Sequence, residues 1–231
     1  MGAQIYEDNP FEDEIVAKEW INSIENEHGM IRDKELYPKL KDWVVLTAAE
    51  VIVEIGSGQG ICAEKSIPNS MQYIGIEPSE TLVKRAEELY LRPNRKFIIG
   101  NAYNLPLPDL YADAAFSINV WFHLRDLPTA SKELQRILKP GARFCVMTVN
   151  PNMNNVWESF YFDYKKEGNA IDGKVMIPVN PLSRNVFYQH TLEEILEALK
   201  SNNLVMEKIE NFGFTDTKDD GLFINIIGHK N

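Results

Sequence analysis

The run Val51-Ile52-Val53-Glu54-Ile55-Gly56-Ser57-Gly58-Gln59-Gly60 constrains the fold more than any other stretch of the chain. Its apolar part reads as a buried strand, and a glycine-dense turn ends it. A second apolar run, Tyr73-Ile74-Gly75-Ile76, closes on an acidic residue, Glu77. A glycine turn after one strand, then a carboxylate at the tip of the next, is the layout of a nucleotide-type cofactor site in an open α/β sheet. Glycine lets the backbone approach a ligand closely, and the carboxylate can accept two hydrogen bonds from ribose hydroxyls.

The middle of the chain continues this alternation. Strands are predicted at Val51–Ile55, Tyr73–Glu77, Lys96–Ile99, Ala114–Ile118 and Arg143–Val149. Leu82, Val83, Ala86 and Leu89 mark a helix between the second and third strands. Leu134, Ile137 and Leu138 mark another, stopped by Lys139-Pro140-Gly141. Before this core, Val16, Trp20 and Ile24, then Leu36, Leu40, Trp43 and Val44, recur at helical spacing around a break at Glu27-His28-Gly29. After it, the pattern lapses between Asn150 and Gln189, in a stretch rich in Asn, Pro and aromatic residues. Such a stretch is too long for an ordinary connection and predicts a lid-like insertion with its own apolar packing. Order resumes with a capping box at Thr191 and Glu194 and the apolar stripe Leu192, Ile195, Leu196 and Leu199. Strands near Leu204–Ile209 and Leu222–Ile227, joined by the polar run from Thr215 to Gly221, predict an antiparallel hairpin.

The expected architecture is α/β, a doubly wound and mostly parallel sheet with helices on both faces. One domain of 231 residues is expected. It divides into a helical cover (1–49), a cofactor-binding core (50–149), an insertion or lid (150–190) and a C-terminal helix and hairpin (191–231).

Composition narrows the partners. A net charge of −10 argues against nucleic acid, whose phosphates need a basic surface. No apolar run reaches the roughly 18 to 20 residues of a membrane helix, and the polar, acidic start is not a signal peptide. Gly2 invites a myristoylation reading, but Tyr6 stands where that motif wants Ser or Thr. Cys62 and Cys145, without paired spacing, read as buried free thiols of a reducing compartment, so a cytoplasmic location is expected. His28, His123, His190 and His229 show no metal-ligand spacing, and no metal is expected.

The glycine spacing selects among cofactors. A dinucleotide site wants G-x-G-x-x-G, but the glycines here are Gly56, Gly58 and Gly60, with Ile61 at the third dinucleotide position. No Gly-Lys-Ser/Thr follows, which excludes a P-loop. Ile55 stands two before Ser57, which excludes a nucleophile elbow. The E-x-G-x-G-x-G form with Glu77 resembles the class I, Rossmann-like S-adenosylmethionine-dependent methyltransferases. The resemblance extends to Gly100-Asn101-Ala102-Tyr103-Asn104-Leu105-Pro106-Leu107-Pro108-Asp109, to Ala115-Phe116-Ser117-Ile118-Asn119-Val120-Trp121-Phe122-His123-Leu124, and to Leu134-Gln135-Arg136-Ile137-Leu138-Lys139-Pro140-Gly141-Ala142-Arg143-Phe144.

That resemblance implies a three-layer, seven-stranded sheet with an antiparallel last strand. It implies S-adenosylmethionine as cofactor and S-adenosylhomocysteine as product. Glu54 would hold the ammonium of the methionine part, Gly56, Ser57 and Gly58 would line the cofactor, and Gly60 would permit helix–strand packing. Glu77, followed by Pro78, would hold the ribose. Asn101 stands where an acidic residue usually accepts from the adenine amino group, and its carbonyl would serve instead. Ala102 and Tyr103 would meet the adenine, and Asn119 and Val120 the methionine end.

Methyl transfer is an in-line displacement that needs alignment and dryness. A hydroxyl acceptor benefits from a base, for which His123 is the candidate. Trp121, Trp157, Tyr161, Phe187, Tyr188 and His190 are candidates for the acceptor pocket. Tyr6, Trp20 and Tyr37 are candidates for a cover over the cofactor. A small-molecule acceptor is the leading expectation. A cofactor-binding sensor or partner protein without transferase activity, and a protein methyltransferase, are the alternatives.

Overall fold

The computed structural model describes residues 9–25, 32–177, 180–181, 185–213 and 221–231, with backbone alone at 176–177 and 180–181. Gly2, Tyr6, the Glu27-His28-Gly29 break and the run from Thr215 to Asp220 lie outside the described residues.

The chain opens with helix α1 (Glu14–Ser23), capped by the Asp13 carboxylate, and α2 (Tyr37–Thr47), entered through a π-turn at Arg32–Leu36. The core then runs β1 (Val51–Ile55), α3 (Ile61–Lys65), β2 (Gln72–Glu77), α4 (Glu80–Tyr90), β3 (Arg95–Ile99), β4 (Ala112–Ile118), α5 (Leu127–Ile137) and β5 (Leu138–Val149). The short helix α6 (Asn154–Glu158) leads to β6 (Tyr161–Glu167), β7 (Ala170–Ile177), β8 (Asn180–Pro181) and β9 (Asn185–Tyr188). The chain ends with α7 (Leu192–Lys200), β10 (Leu204–Phe212) and β11 (Phe223–Lys230).

The main sheet has the order β10-β11-β5-β4-β1-β2-β3. Strands β1 to β5 are mutually parallel, and β11 runs antiparallel to both β5 and β10. This is the seven-stranded, doubly wound sheet with an antiparallel last strand that the sequence predicts. Alternation of side chains along β1 divides the core. Val53 and Ile55 face α5 and α7, where Leu134 and Leu199 pack, while Ile52 faces α2 and α4, where Trp43 and Val83 pack. The strand order reverses at β1, which pairs with both β2 and β4. A doubly wound sheet opens a ligand crevice at the carboxyl ends of such strands.

One expectation needs correction. Leu138 does not extend α5 but begins β5, because it pairs with Ala112 and because Leu110 and Tyr111 donate to the carbonyls of Arg136 and Ile137. The stop signal Lys139-Pro140-Gly141 therefore lies within the strand. The 150–190 stretch holds regular structure of its own: β7 pairs antiparallel with β6, β8 and β9. Tyr161, Ile171, Val175 and Phe187 of this small sheet pack with Val149, at the end of β5.

Candidate active site

The carboxyl ends of β1, β2 and β4 open into a cavity of about 400 Å3, within the range of small-molecule sites. One end is polar. The Gly56 and Ser57 N–H groups donate to the Ile76 carbonyl at 2.8 and 3.0 Å, tying the turn to β2. Gly58, at φ +52°, has no atom within 4 Å of where a Cβ would stand, so its backbone is open to a ligand. Glu77 is buried and orients its carboxylate through two backbone donors, Gly58 N at 2.9 Å and Ser79 N at 3.0 Å. Burial lifts its pKa to about 7 against the pull of those two bonds.

Glu54 is buried on β1, on the face toward α2 and α4. Burial raises its pKa to about 8, although the Tyr73 hydroxyl donates to it at 2.5 Å and the Cys62 thiol also bonds it. Two buried carboxylates with raised proton affinity thus sit in the cavity wall. The Arg32 guanidinium also lines this end, 4.9 Å from the Trp20 ring centre. At the end of β4, Asn119 adopts a left-handed conformation at φ 57°, and its Oδ1 is buried without a partner. Ser57 Oγ is likewise buried and unpartnered. Pro78, Ala102, Tyr103 and Val120 all line the cavity.

Asn101 lines it too, but not with the atom expected. Its Oδ1 accepts from the backbone of Tyr103 at 2.9 Å and of Asn104 at 3.2 Å, an Asx turn that fixes the loop after β3. The carbonyl expected to accept from an adenine amino group is already used, and the Nδ2 donor is what remains. Gly60 is not part of the lining. A Cβ there would come within 2.7 Å of Phe97 and 2.9 Å of Ala86, so its place is in the packing of α4 against β3.

The other end is apolar and aromatic. Trp157, Tyr161 and Phe187, expected in an acceptor pocket, line it, whereas Trp20 and Tyr37 of the helical cover line the cavity on the Arg32 side. His123 is half-buried at the aromatic end, 4.0 Å between ring centres from Phe122. Burial pushes its pKa down to about 4.

Three candidates point elsewhere. Trp121 is turned into the core, and its indole N–H donates to Ser117 Oγ at 2.9 Å. Tyr188 lies on the opposite side of β9, where Arg125 donates to its hydroxyl at 3.2 Å. The His190 ring is engaged by the Leu124 carbonyl at 2.6 Å. The structure adds Phe11, Arg32, Phe122, Phe160 and Asn185 to the lining. Phe122 had a signal, its place beside His123. Asn185 had none, because strand pairing brings it there. Among the described residues no cluster of His, Cys, Asp and Glu has metal-binding geometry, and no helix is long and apolar enough to cross a membrane.

Comparisons with known proteins match the core of the chain and its fold. The profile of a methyltransferase domain matches residues 53–146. An uncharacterized methyltransferase of Schizosaccharomyces pombe is 34% identical over 106 residues, which are 41% of this chain and 38% of that one. A 2-phytyl-1,4-naphthoquinone methyltransferase of Synechococcus elongatus is 29% identical over 115 residues, 47% of this chain and 49% of that one. The chain spans 38% to 65% of the length of the first curated relatives it matches. In three dimensions it resembles an S-adenosylmethionine-dependent methyltransferase of Clostridium acetobutylicum, with a TM-score of 0.69, 15% identity, and 90% and 99% of the two chains covered. Residues 53–146 match the profile of a methyltransferase domain, and the chain has the fold seen in S-adenosylmethionine-dependent methyltransferases.

Proposed function

We propose that the protein transfers a methyl group from S-adenosylmethionine to a small-molecule acceptor. One observation carries this reading: a single cavity joins the glycine turn and its two buried carboxylates to an aromatic wall. The residues fit the cofactor, since the open backbone at Gly58 and the unpartnered Ser57 Oγ and Asn119 Oδ1 are groups a polar ligand satisfies. Glu77, oriented by its two backbone donors, would hold the ribose hydroxyls. Pro78, Leu82, Ala102 and Tyr103 would enclose the adenine. Glu54 would hold the ammonium, and Arg32 would face the carboxylate of the methionine part.

The bound cofactor supplies a methyl group on a positively charged sulfur, already activated for displacement. The chain's own work is to align, to shield and to desolvate. Asn119 and Val120 line the cavity just after β4 and would set the line of approach. The aromatic wall would limit the access of water to the reacting atoms.

The net charge of −10 and the apolar wall favour a small uncharged acceptor over a nucleic acid. A protein acceptor would need an open groove, whereas the lining at this end is aromatic. The naphthoquinone methyltransferase among the relatives acts on a small molecule by its name, which is consistent with this reading.

Transfer of a labelled methyl group from S-adenosylmethionine to a panel of small acceptors, histone-like basic peptides and RNA tests it. Label in small molecules supports the proposal. Label only in peptide or RNA, or cofactor binding without transfer to any acceptor, contradicts it.

A further inference from the structure

The apolar end of the cavity has a polar edge that the cofactor reading does not use. In the small sheet, Tyr161 stands opposite Val175, and Asn185 stands opposite Gly173. Val175 and Gly173 are two residues apart on β7, so all four share one face. Tyr161, Val175 and Asn185 line the cavity from that face. Asn185 is only 6% exposed, and its Oδ1 has no partner. Burial pushes the Tyr161 hydroxyl up, with no charge or hydrogen bond opposing it.

His123 completes the edge. Its Nδ1 lies 2.6 Å from the Val186 carbonyl oxygen on β9. A carbonyl only accepts, so Nδ1 carries the hydrogen and Nε2 carries the lone pair. Burial keeps the ring neutral, with its pKa lowered to about 4. Phe11 and Phe122 flank it at centroid distances of 5.7 and 4.0 Å. The charged residues of the lining are Glu12, Arg32, Glu54 and Glu77. They couple with one another, Glu12 with Glu77 and Arg32 with Glu54, at the glycine-turn end. No carboxylate among the described lining residues stands at the His123 end to receive a cation.

Resting on the methyltransferase reading above, we infer that the acceptor is a flat, uncharged, mostly apolar molecule bearing a hydroxyl. It is methylated on oxygen, with His123 Nε2 as the general base and the Asn185 amide and Tyr161 hydroxyl orienting the ring. The acceptor oxygen forms its bond to the methyl carbon of the sulfonium donor as the carbon–sulfur bond breaks. The electron pair of that bond stays on sulfur, and the hydroxyl proton passes to His123 Nε2 and from there to water.

The test uses the whole chain, a panel of bicyclic hydroxyarenes such as 2-naphthol, and the matching arylamines. Calorimetry with S-adenosylhomocysteine comes first: absence of binding defeats the parent reading and this proposal with it. With binding present, the proposal expects hydroxyarenes to bind and to gain one methyl as ethers, in preference to arylamines. His123→Gln should lower kcat by about 100-fold, the low end of general-base effects. Cofactor affinity and hydroxyarene KM should stay within about threefold. The His123→Gln rate should climb with pH toward the ionisation of the hydroxyarene, where the unaltered protein is flat. Asn185→Leu, chosen in case His123→Gln does not fold, should weaken hydroxyarene binding about tenfold at unchanged cofactor affinity. Cofactor binding without hydroxyarene binding, preference for arylamines, or a His123→Gln variant with full rate and a flat profile would each overturn the proposal and leave the parent reading standing.

Discussion

At the scale of single residues, Asn101 departs most from what the cofactor needs. Two backbone donors hold its Oδ1, which leaves a donor where an adenine amino group brings another donor. An aspartate in the same turn would keep one oxygen on those N–H groups and present the second to the base. Asn101→Asp should therefore tighten S-adenosylhomocysteine binding by about three- to tenfold in calorimetry, the worth of one modest hydrogen bond. Unchanged or weaker binding would show that this side chain does not face the adenine. Glu77→Gln should do the opposite. It keeps a carbonyl acceptor but places an amide donor against the Gly58 or Ser79 N–H, and binding should weaken at least tenfold.

Legibility at this scale was uneven for a physical reason. Glu54, Glu77 and the glycines are fixed by chain-local geometry, a strand followed at once by a turn. Trp121 and His190 are not, because their direction depends on a distant or inward partner, Ser117 Oγ for one and the Leu124 carbonyl for the other. Nothing in the local sequence distinguishes a tryptophan turned inward from one turned to a cleft.

At the scale of elements, the central strands β1, β2 and β4 were readable because they are buried on both faces and so are mostly apolar. The small sheet was not. Its first strand reads Tyr161-Phe162-Asp163-Tyr164-Lys165-Lys166, and its register shifts between Phe162 and Lys165. Asp163 has φ 49°, a bulge that breaks the period of two on which a strand is recognised. The Asn101 side of the cavity depends on another element-level contact. Arg136 on α5 donates to the carbonyls of Leu105 and Leu107 at 2.9 and 2.7 Å, while pairing with Glu133 and Asp109. It clamps the loop after β3 to the helix. Arg136→Ala leaves those carbonyls and Glu133 without their shared donor and should cost about 2 to 3 kcal/mol in denaturant unfolding. The same variant should weaken cofactor binding several-fold. A loss within 0.5 kcal/mol would show that the loop holds itself.

At the scale of the whole molecule, the site opposes the fold. Glu54 and Glu77 are buried with pKa values raised to about 8 and about 7 from an ordinary 4.5. Between about pH 5 and 8 the folded protein therefore binds more protons than the unfolded chain, and stability falls as pH rises through that window. His123, lowered to about 4 from 6.5, has the opposite sign, but its window closes by about pH 6.5. From pH 6.5 to 8 the carboxylates act alone. The melting temperature of the protein without cofactor should drop by several degrees across that interval. Glu54→Gln should flatten the drop. A melting temperature that rises from pH 6.5 to 8 would mean that neither carboxylate is desolvated as described. Binding should restore stability, because an ammonium beside Glu54 and hydroxyls beside Glu77 replace the water both have lost.

The sheet order, the switch at β1 and the cavity at its carboxyl end all lead to one claim, that the polar end is built for S-adenosylmethionine. Calorimetric titration of the protein with S-adenosylhomocysteine at pH 8, where the carboxylates are most charged, tests it most directly. Saturable binding at one site per chain is expected, with affinity falling as pH is lowered through about 7, where Glu77 takes up its proton. No binding at millimolar ligand, or binding that Glu77→Gln leaves unchanged, would contradict it.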